Sequence, residues 1–363
     1  MLRKMEDYSE YIIQGEPDKR DRVRNWMTAI GLKDVDDLKP SQYFLDTVKQ
    51  NIEGKITLEE VRRLVDQYYT TKEGLQQEKR TEEADKVAVR IAELIAHKTF
   101  SFRPNCLASI HRHLFEGIYK FAGLIRNYNI TKREWVLRGE TVYYASADTI
   151  SETLEYDMGQ ERNYSYEGKS IDETISHLTR FCANLWQIHA FGEGNTRSTA
   201  VFMIKYLKTL GFKVTNDLFA TNSWYFRNAL VRANYSNLQE GVTETTIFLE
   251  RFFRNMLLGE TTPLRNREMH LDWKAETEAK RTKELAQRAN SALPLPTKCK
   301  DCTLEEIAVL RIIQQDPSAK QAFIAKEIRK SERTVKTITA RLTENGIIKR
   351  SKGKGSDWEI IYD

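Results

Sequence analysis

Ile188-His-Ala-Phe-Gly-Glu-Gly-Asn-Thr-Arg197 decides the reading of this chain. It places a proton acceptor, a carboxylate, a Gly-Asn turn and an arginine in one short stretch. Ahead of it, the capping box Ser170-Ile-Asp-Glu173 opens a helix with Ile171, Ile175, Leu178, Phe181, Leu185 and Ile188 at helical spacing. Behind it, Ala200 to Leu210 is largely apolar, the pattern of a central buried helix. The stretch therefore reads as a tight turn between two core helices, the second starting near Asn195. Free N–H groups at a helix start, with the positive end of the helix dipole, form an anion pocket. His189 stands at its rim as a possible proton acceptor, and Glu193 can hold a hard cation. Arg197 can reach a phosphate. That set suits transfer of a phosphate-containing group.

These residues resemble the signature of the Fic family, His-x-Phe-x-(Asp/Glu)-Gly-Asn-x-Arg-x-x-Arg, and the resemblance extends over roughly residues 85–258. It implies adenylylation: AMP moves from ATP to a Ser, Thr or Tyr hydroxyl of a target protein. By position, His189 would deprotonate the hydroxyl as general base, Phe191 would anchor the loop in the core, Glu193 would bind Mg²⁺, Gly192, Gly194, Asn195 and Thr196 would frame the nucleotide's anion pocket, and Arg197 would contact the phosphates. Three departures stand out. Thr196 replaces the usual Gly, Ala190 the usual Pro, and Ala200 the second arginine, which in the family grips the terminal phosphate and pairs with an inhibitory glutamate. Transfer from another nucleotide, or phosphoryl or phosphocholine transfer as in Fic relatives, is thus an alternative.

Asn127 to Leu137, Arg138-Gly-Glu140 and Thr141-Val-Tyr-Tyr-Ala145 read as a β-hairpin in an otherwise helical chain, placed like a Fic flap. In that reading Asn129, Ile130, Thr131 and Lys132 dock an extended target segment through backbone hydrogen bonds. Asn234 and Tyr235, at the end of a helix over 223–235, are candidate contacts to the nucleotide base.

With 363 residues, 40% hydrophobic and 30% charged, the composition is that of an ordinary globular protein of two or three domains. A net charge of +5 is too mild to demand nucleic acid. The polar start and the lack of a long apolar run predict a cytoplasmic protein with no membrane span. Four cysteines make no disulfide framework. Cys106 and Cys182 fall in helices as small core residues, and Cys299-Lys-Asp-Cys302 has no second pair at metal spacing.

Residues 1–80 read as a helical cap. The box Thr57-Leu-Glu-Glu60 opens a helix through Val61, Leu64, Val65 and Tyr68. The stretches Ala29–Ser41 and Asn51–Thr57 resemble the VbhA-type antitoxin module that caps Fic enzymes. Where that module carries Ser/Thr-x-x-x-Glu-Gly, this chain has Leu32-Lys-Asp-Val-Asp36-Asp37. With the glutamate and the second arginine both absent, the expectation is a cap without glutamate-type autoinhibition.

Residues 81–260 form the expected catalytic core, and 261–300 a charge-dense helix and a Pro-containing linker. Residues 301–363 read as a winged helix-turn-helix: Thr303-Leu-Glu-Glu306 opens the first helix, Ser331 caps the third, and 346–360 form a basic hairpin. Residues 300–363 hold 13 Lys and Arg against 10 Asp and Glu. DNA is a candidate partner of this domain, a protein-interaction or dimerisation module the alternative, and a homo-oligomer is compatible with either. The fold expected is mainly α, with ATP as substrate and Mg²⁺ as cofactor. The competing function is a DNA-binding transcriptional regulator whose Fic-like core binds nucleotide without turnover.

Overall fold

The computed structural model describes residues 17–97, 99–103, 105–214, 217–273, 296, 299, 302–351 and 357–362. The expected charged helix falls almost wholly outside them. Two compact units, Met1–Leu271 and Asp272–Asp363, make up the chain.

The first unit contains α1 (Pro17–Gly31), α2 (Gln42–Ile52), α3 (Leu58–Tyr68), the single turn α4 (Lys72–Leu75), α5 (Lys79–Ala96), α6 (Cys106–Phe115), α7 (Ile150–Asn163), α8 (Ile171–Ile188), α9 (Asn195–Thr209), α10 (Asp217–Ala233) and α11 (Ile247–Leu258). Both expected capping boxes are present, Thr57–Glu60 on α3 and Ser170–Glu173 on α8. Ile175, Leu178, Phe181, Leu185 and Ile188 are buried on α8, whereas Ile171 in its first turn stays in solvent. Helix α9 is buried from Asn195 to Leu207, as its apolar run requires.

Residues 17–80 share one apolar core with the helices that follow. Trp26, Phe44, Val61 and Val65 join the cluster that holds Ile91, Leu178, Phe202 and Phe252. Helix α1 packs most closely on α10 and α5. At Gly31 a side chain would collide with the backbone of Ala220 on α10, so only glycine allows that approach. A buried polar knot reinforces it: Ser41 N–H (3.0 Å) and Tyr69 O–H (2.7 Å) donate to the Asp85 carboxylate on α5. Burial pushes the Asp85 carboxyl up, and the nearby Lys33 ammonium opposes that shift.

The expected flap hairpin is absent. Residues 127–145 contain no strand; their interior is a 3-10 turn at Trp135–Leu137, closed by Glu134 N–H to Glu140 C=O (2.9 Å). Val136 and Leu137 are adjacent and both buried, which a hairpin strand with one face in solvent does not permit. The stretch is an extended loop pinned at both ends and at its turn.

The second unit holds α12 (Leu304–Gln315), α13 (Gln321–Ile328), α14 (Glu332–Glu344), and an antiparallel pair, β1 (Ile348–Arg350) and β2 (Trp358–Ile360). Thr303 and Ser331 cap α12 and α14 as the sequence predicts. Leu310, Ile313, Ile324, Ile328, Val335, Leu342 and Trp358 make its core. This pair is the only sheet among the described residues. Cys299 and Cys302 form a disulfide.

Candidate active site

The turn between α8 and α9 is built so that few of its atoms can move. Helix α8 ends at His189, which closes it in the left-handed conformation (φ 49°), uncommon for a residue with a side chain and frequent at functional sites. Asn195 then ties the loop to itself: its Oδ1 accepts from Phe191 N–H (2.9 Å) and its Nδ2 donates to Phe191 C=O (2.7 Å). Trp186 Nε1–H donates to Thr196 Oγ1 at 2.9 Å. Gly194 has a φ of +75°, and a side chain there would strike the Phe115 ring of α6. No side chain caps the start of α9, which leaves its first N–H groups without that partner.

Two residues outside the motif complete the frame. Arg126 is buried and spends its guanidinium on backbone carbonyls: Nε to His189 (2.8 Å) and Nη1 to Tyr128 (2.7 Å), with Nη2 on Ala145. His111 on α6 lies flat on Phe191 (centroids 3.8 Å apart), accepts from Gly123 N–H at Nδ1 (2.8 Å) and donates from Nε2 to Glu193 C=O (3.0 Å). Burial lowers its pKa to about 4, so it is neutral with a fixed tautomer. Neither was singled out from sequence. His111 shares a face of α6 with Leu107 and Leu114 and so looks like any core position, and Arg126 acts through main-chain atoms of distant residues.

His189 itself is 3% exposed. Its Nδ1 faces Trp186 C=O at 3.3 Å, which makes Nδ1 the protonated nitrogen and leaves a lone pair on Nε2. Nε2 is buried and has no hydrogen-bond partner among the described residues. Burial, then the Lys132 charge, holds the imidazole well below its ordinary pKa, so it is neutral at physiological pH. The Tyr144 ring packs 4.1 Å from it. Tyr144 O–H reaches Glu134 (3.4 Å), which is fully buried and gripped by both Nη atoms of Arg227 on α10 at 2.6 and 3.0 Å. The loop is thereby anchored to α10 beside the imidazole.

Two ion pairs occupy the rest. Lys132 Nζ sits 3.1 and 3.2 Å from the two Glu193 oxygens. Burial tends to raise the Glu193 pKa, but the Lys132 charge and the Gly194 N–H win, and it lies below the usual carboxylate value. Arg197 does not face an open pocket. It is fully buried, stacked over Phe115, with Nε 2.8 Å from Asp36 and Nη2 2.8 Å from Glu83; its Nη1 has no partner. Asp36 belongs to the cap, so a cap carboxylate does pair with a motif arginine. The acid is one methylene shorter than glutamate and takes the first arginine instead of the missing second.

The candidate base contacts lie elsewhere. Asn234 Nδ2 donates to Ala183 C=O (3.0 Å) and Leu230 C=O (2.9 Å), a packing role. Tyr235 donates to Glu140 and lines an open cleft of about 850 Å³ between the 131–143 loop and residues 235–239. Asn129 Oδ1 accepts from Ala147 N–H at 2.9 Å, Thr131 lines the same cleft, and Ile130 is half-buried.

A helical core that presents a rigid histidine turn at the start of a buried helix defines the class, and comparison with known proteins agrees. Residues 101–207 match the Fic/DOC family, and residues 306–349 match a family described as winged helix-turn-helix, DNA-binding. The chain thus carries a Fic/DOC family domain followed by a winged helix-turn-helix domain. No curated protein matches it. Among solved structures it is similar to a Fic family protein from Desulfovibrio desulfuricans G20, at 12% identity, covering 98% of this chain and 91% of that one, with a TM-score of 0.43. Among the described residues, no helix is long and apolar enough to cross a membrane.

Proposed function

We propose that the protein is a nucleotidyltransferase that moves AMP from ATP to a Ser, Thr or Tyr hydroxyl of a target protein. The observation that carries this reading is His189 Nε2, a buried lone pair left without a partner while the other ring nitrogen fixes the tautomer. Buried polar atoms are nearly always satisfied, so an orphan of this kind at a motif turn points to a ligand. Nε2 takes the proton of the incoming hydroxyl, whose oxygen bonds to the α-phosphorus as the bond to pyrophosphate breaks. The N–H groups at the start of α9 stabilise the charge on the phosphate oxygens.

Glu193 is the residue that would hold Mg²⁺. It already attracts a cation, Lys132, and its side chain is 42% exposed. With a single carboxylate from the protein, the remaining positions on the ion would be filled by phosphates and water. When bound, Mg²⁺ would supply neutralisation of phosphate charge.

The winged domain favours a second reading, a nucleotide-sensing DNA-binding regulator. Arg333, Lys336, Thr337 and Arg341 are exposed on α14, although Arg341 Nε pairs with Glu306 at 2.6 Å and Lys349 with Glu359 at 3.1 Å. Lys352 and Lys354 lie outside the described residues. Intact-mass measurement after incubation with candidate target protein, Mg²⁺ and each of ATP, GTP, UTP and CTP separates the two. Added nucleotide mass that disappears in His189→Ala supports the transferase; nucleotide binding without covalent transfer to any protein overturns it in favour of the regulator.

A further inference from the structure

The motif turn lacks a cation that can turn toward a nucleotide's outer phosphates. Arg197 is wedged against Phe115 and held by two carboxylates, and position 200 is an alanine buried inside α9. A polyphosphate carries several negative charges, and a site that takes one without a mobile counter-charge leaves them unpaired. Lys132 is placed to supply it. It lies on the extended loop, where its backbone N–H donates to Thr141 Oγ1 at 3.2 Å. Its side chain is 26% exposed, lines the cleft with Thr131, Glu140, Tyr143 and Tyr235, and ends on both Glu193 oxygens.

We propose that Lys132 binds the outer phosphates of the nucleotide in place of the arginine missing at position 200, and that Glu193 holds its ammonium until the nucleotide arrives. This rests on the nucleotide reading above. The chemistry favours the exchange. Glu193 would hold the divalent ion, so its carboxylate would no longer favour the Lys132 ammonium, and the nucleotide's phosphates would offer that ammonium a new anion. A flexible four-carbon stem with three rotatable donors can make the move without displacing the backbone, which a guanidinium fork fixed to two partners cannot. Burial keeps the His189 imidazole neutral, and the nearby Lys132 charge adds to that effect.

The test reads binding on the full chain, and two signs must come out opposite. In Lys132→Gln, Mn²⁺ alone should bind several-fold tighter by electron paramagnetic resonance, since the internal competitor for Glu193 is gone. ATP should bind about tenfold weaker by calorimetry, the scale of one charge-assisted contact, with AMP unchanged. Lys132→Arg should keep most ATP affinity, and Lys132→Gln with Ala200→Arg should regain it. Unchanged preference for ATP over AMP in Lys132→Gln overturns the proposal while leaving the transferase reading intact. If ATP and AMP weaken equally, Lys132 merely shapes the loop and the proposal fails. Wild type that binds no nucleotide defeats both readings.

Discussion

The turn at 189–197 and the loop at 127–145 face each other across the candidate site, and they are held in different ways. The turn is locked chiefly by bonds between neighbours, Asn195 to Phe191 and His189 to Trp186, with Gly194 packed against Phe115 and with Arg126 and His111 bracing two of its carbonyls. The loop is held by three anchors that reach far along the chain, namely Arg126 at its base through His189 and Ala145, the Glu134–Arg227 pair at its middle and Lys132 on Glu193. A turn fixed locally keeps its shape when a ligand arrives. A loop hung on ion pairs can exchange one of them. Geometry for proton transfer belongs to the first, and adaptation to nucleotide and target belongs to the second.

The sharpest way to break that division is to remove the orphan nitrogen. His189→Ala should lower transfer by about 10²–10⁴-fold, the usual worth of a general base, measured as initial rate of nucleotide incorporation. Its thermal transition should fall modestly, because a buried ring and its Trp186 bond are lost, while the Asn195 ties and the Trp186–Thr196 bond keep the turn in place. A variant with normal rate would remove His189 from the chemistry. Next comes Gly194→Ala, which asks for a left-handed alanine and displaces the Phe115 ring. A loss of about 2–4 kcal/mol in chemical denaturation is expected. The matched change on the loop, Gly139→Ala, also has positive φ but meets no neighbour, so it should cost about 1 kcal/mol. Equal costs would contradict the contrast between the two regions.

Acid sharpens it further. His111 is neutral in the fold with a pKa of about 4, against about 6.5 when unfolded. Between these values only the unfolded chain takes up the proton, so stability falls as pH drops below 6.5 and the loss levels off below 4. The penalty from His111 is about 1 kcal/mol at pH 5.5 and about 3 kcal/mol at pH 4. His189, also lowered, acts in the same direction. His111→Gln should flatten part of this slope in urea titrations at several pH values. The transfer rate should show no inflection near 6.5, because the His189 base stays unprotonated there.

What the sequence carried follows the same divide. Helices, capping boxes, the motif turn and the winged domain were legible because each is specified by residues close in the chain: Ser170 with Glu173, Thr303 with Glu306, Val335 with Leu342. The loop was misread as a hairpin because its shape depends on Arg126 and Arg227, partners from outside the segment. His111 escaped notice for a similar reason, since its bonds run to Gly123 and Glu193, far along the chain. The Asp36–Arg197 pair joins residues far apart in the chain, and no local pattern announces it.

That pair gives the subtlest test. Asp36 is 26% exposed and sits within the positive field of Arg197, yet burial pushes its carboxyl above the ordinary value. Its charge is therefore held at a cost, and removing it should not collapse the fold. Deleting residues 1–80 would not isolate the effect, because Trp26, Phe44 and Val61 leave the shared core with the cap. Asp36→Asn does. It keeps the shape, leaves Glu83 to hold the guanidinium, and frees Arg197 Nε for a phosphate oxygen. If the cap acid competes with nucleotide, ATP affinity in Asp36→Asn should rise by up to about tenfold, a little over 1 kcal/mol, with little change in thermal stability. Glu83→Gln should give a smaller gain in affinity and a larger loss of stability, since Tyr119 O–H also donates to that carboxylate at 2.6 Å. Should ATP bind Asp36→Asn no better than wild type, the acid serves only to neutralise a buried guanidinium, and the cap exerts no electrostatic restraint on the site.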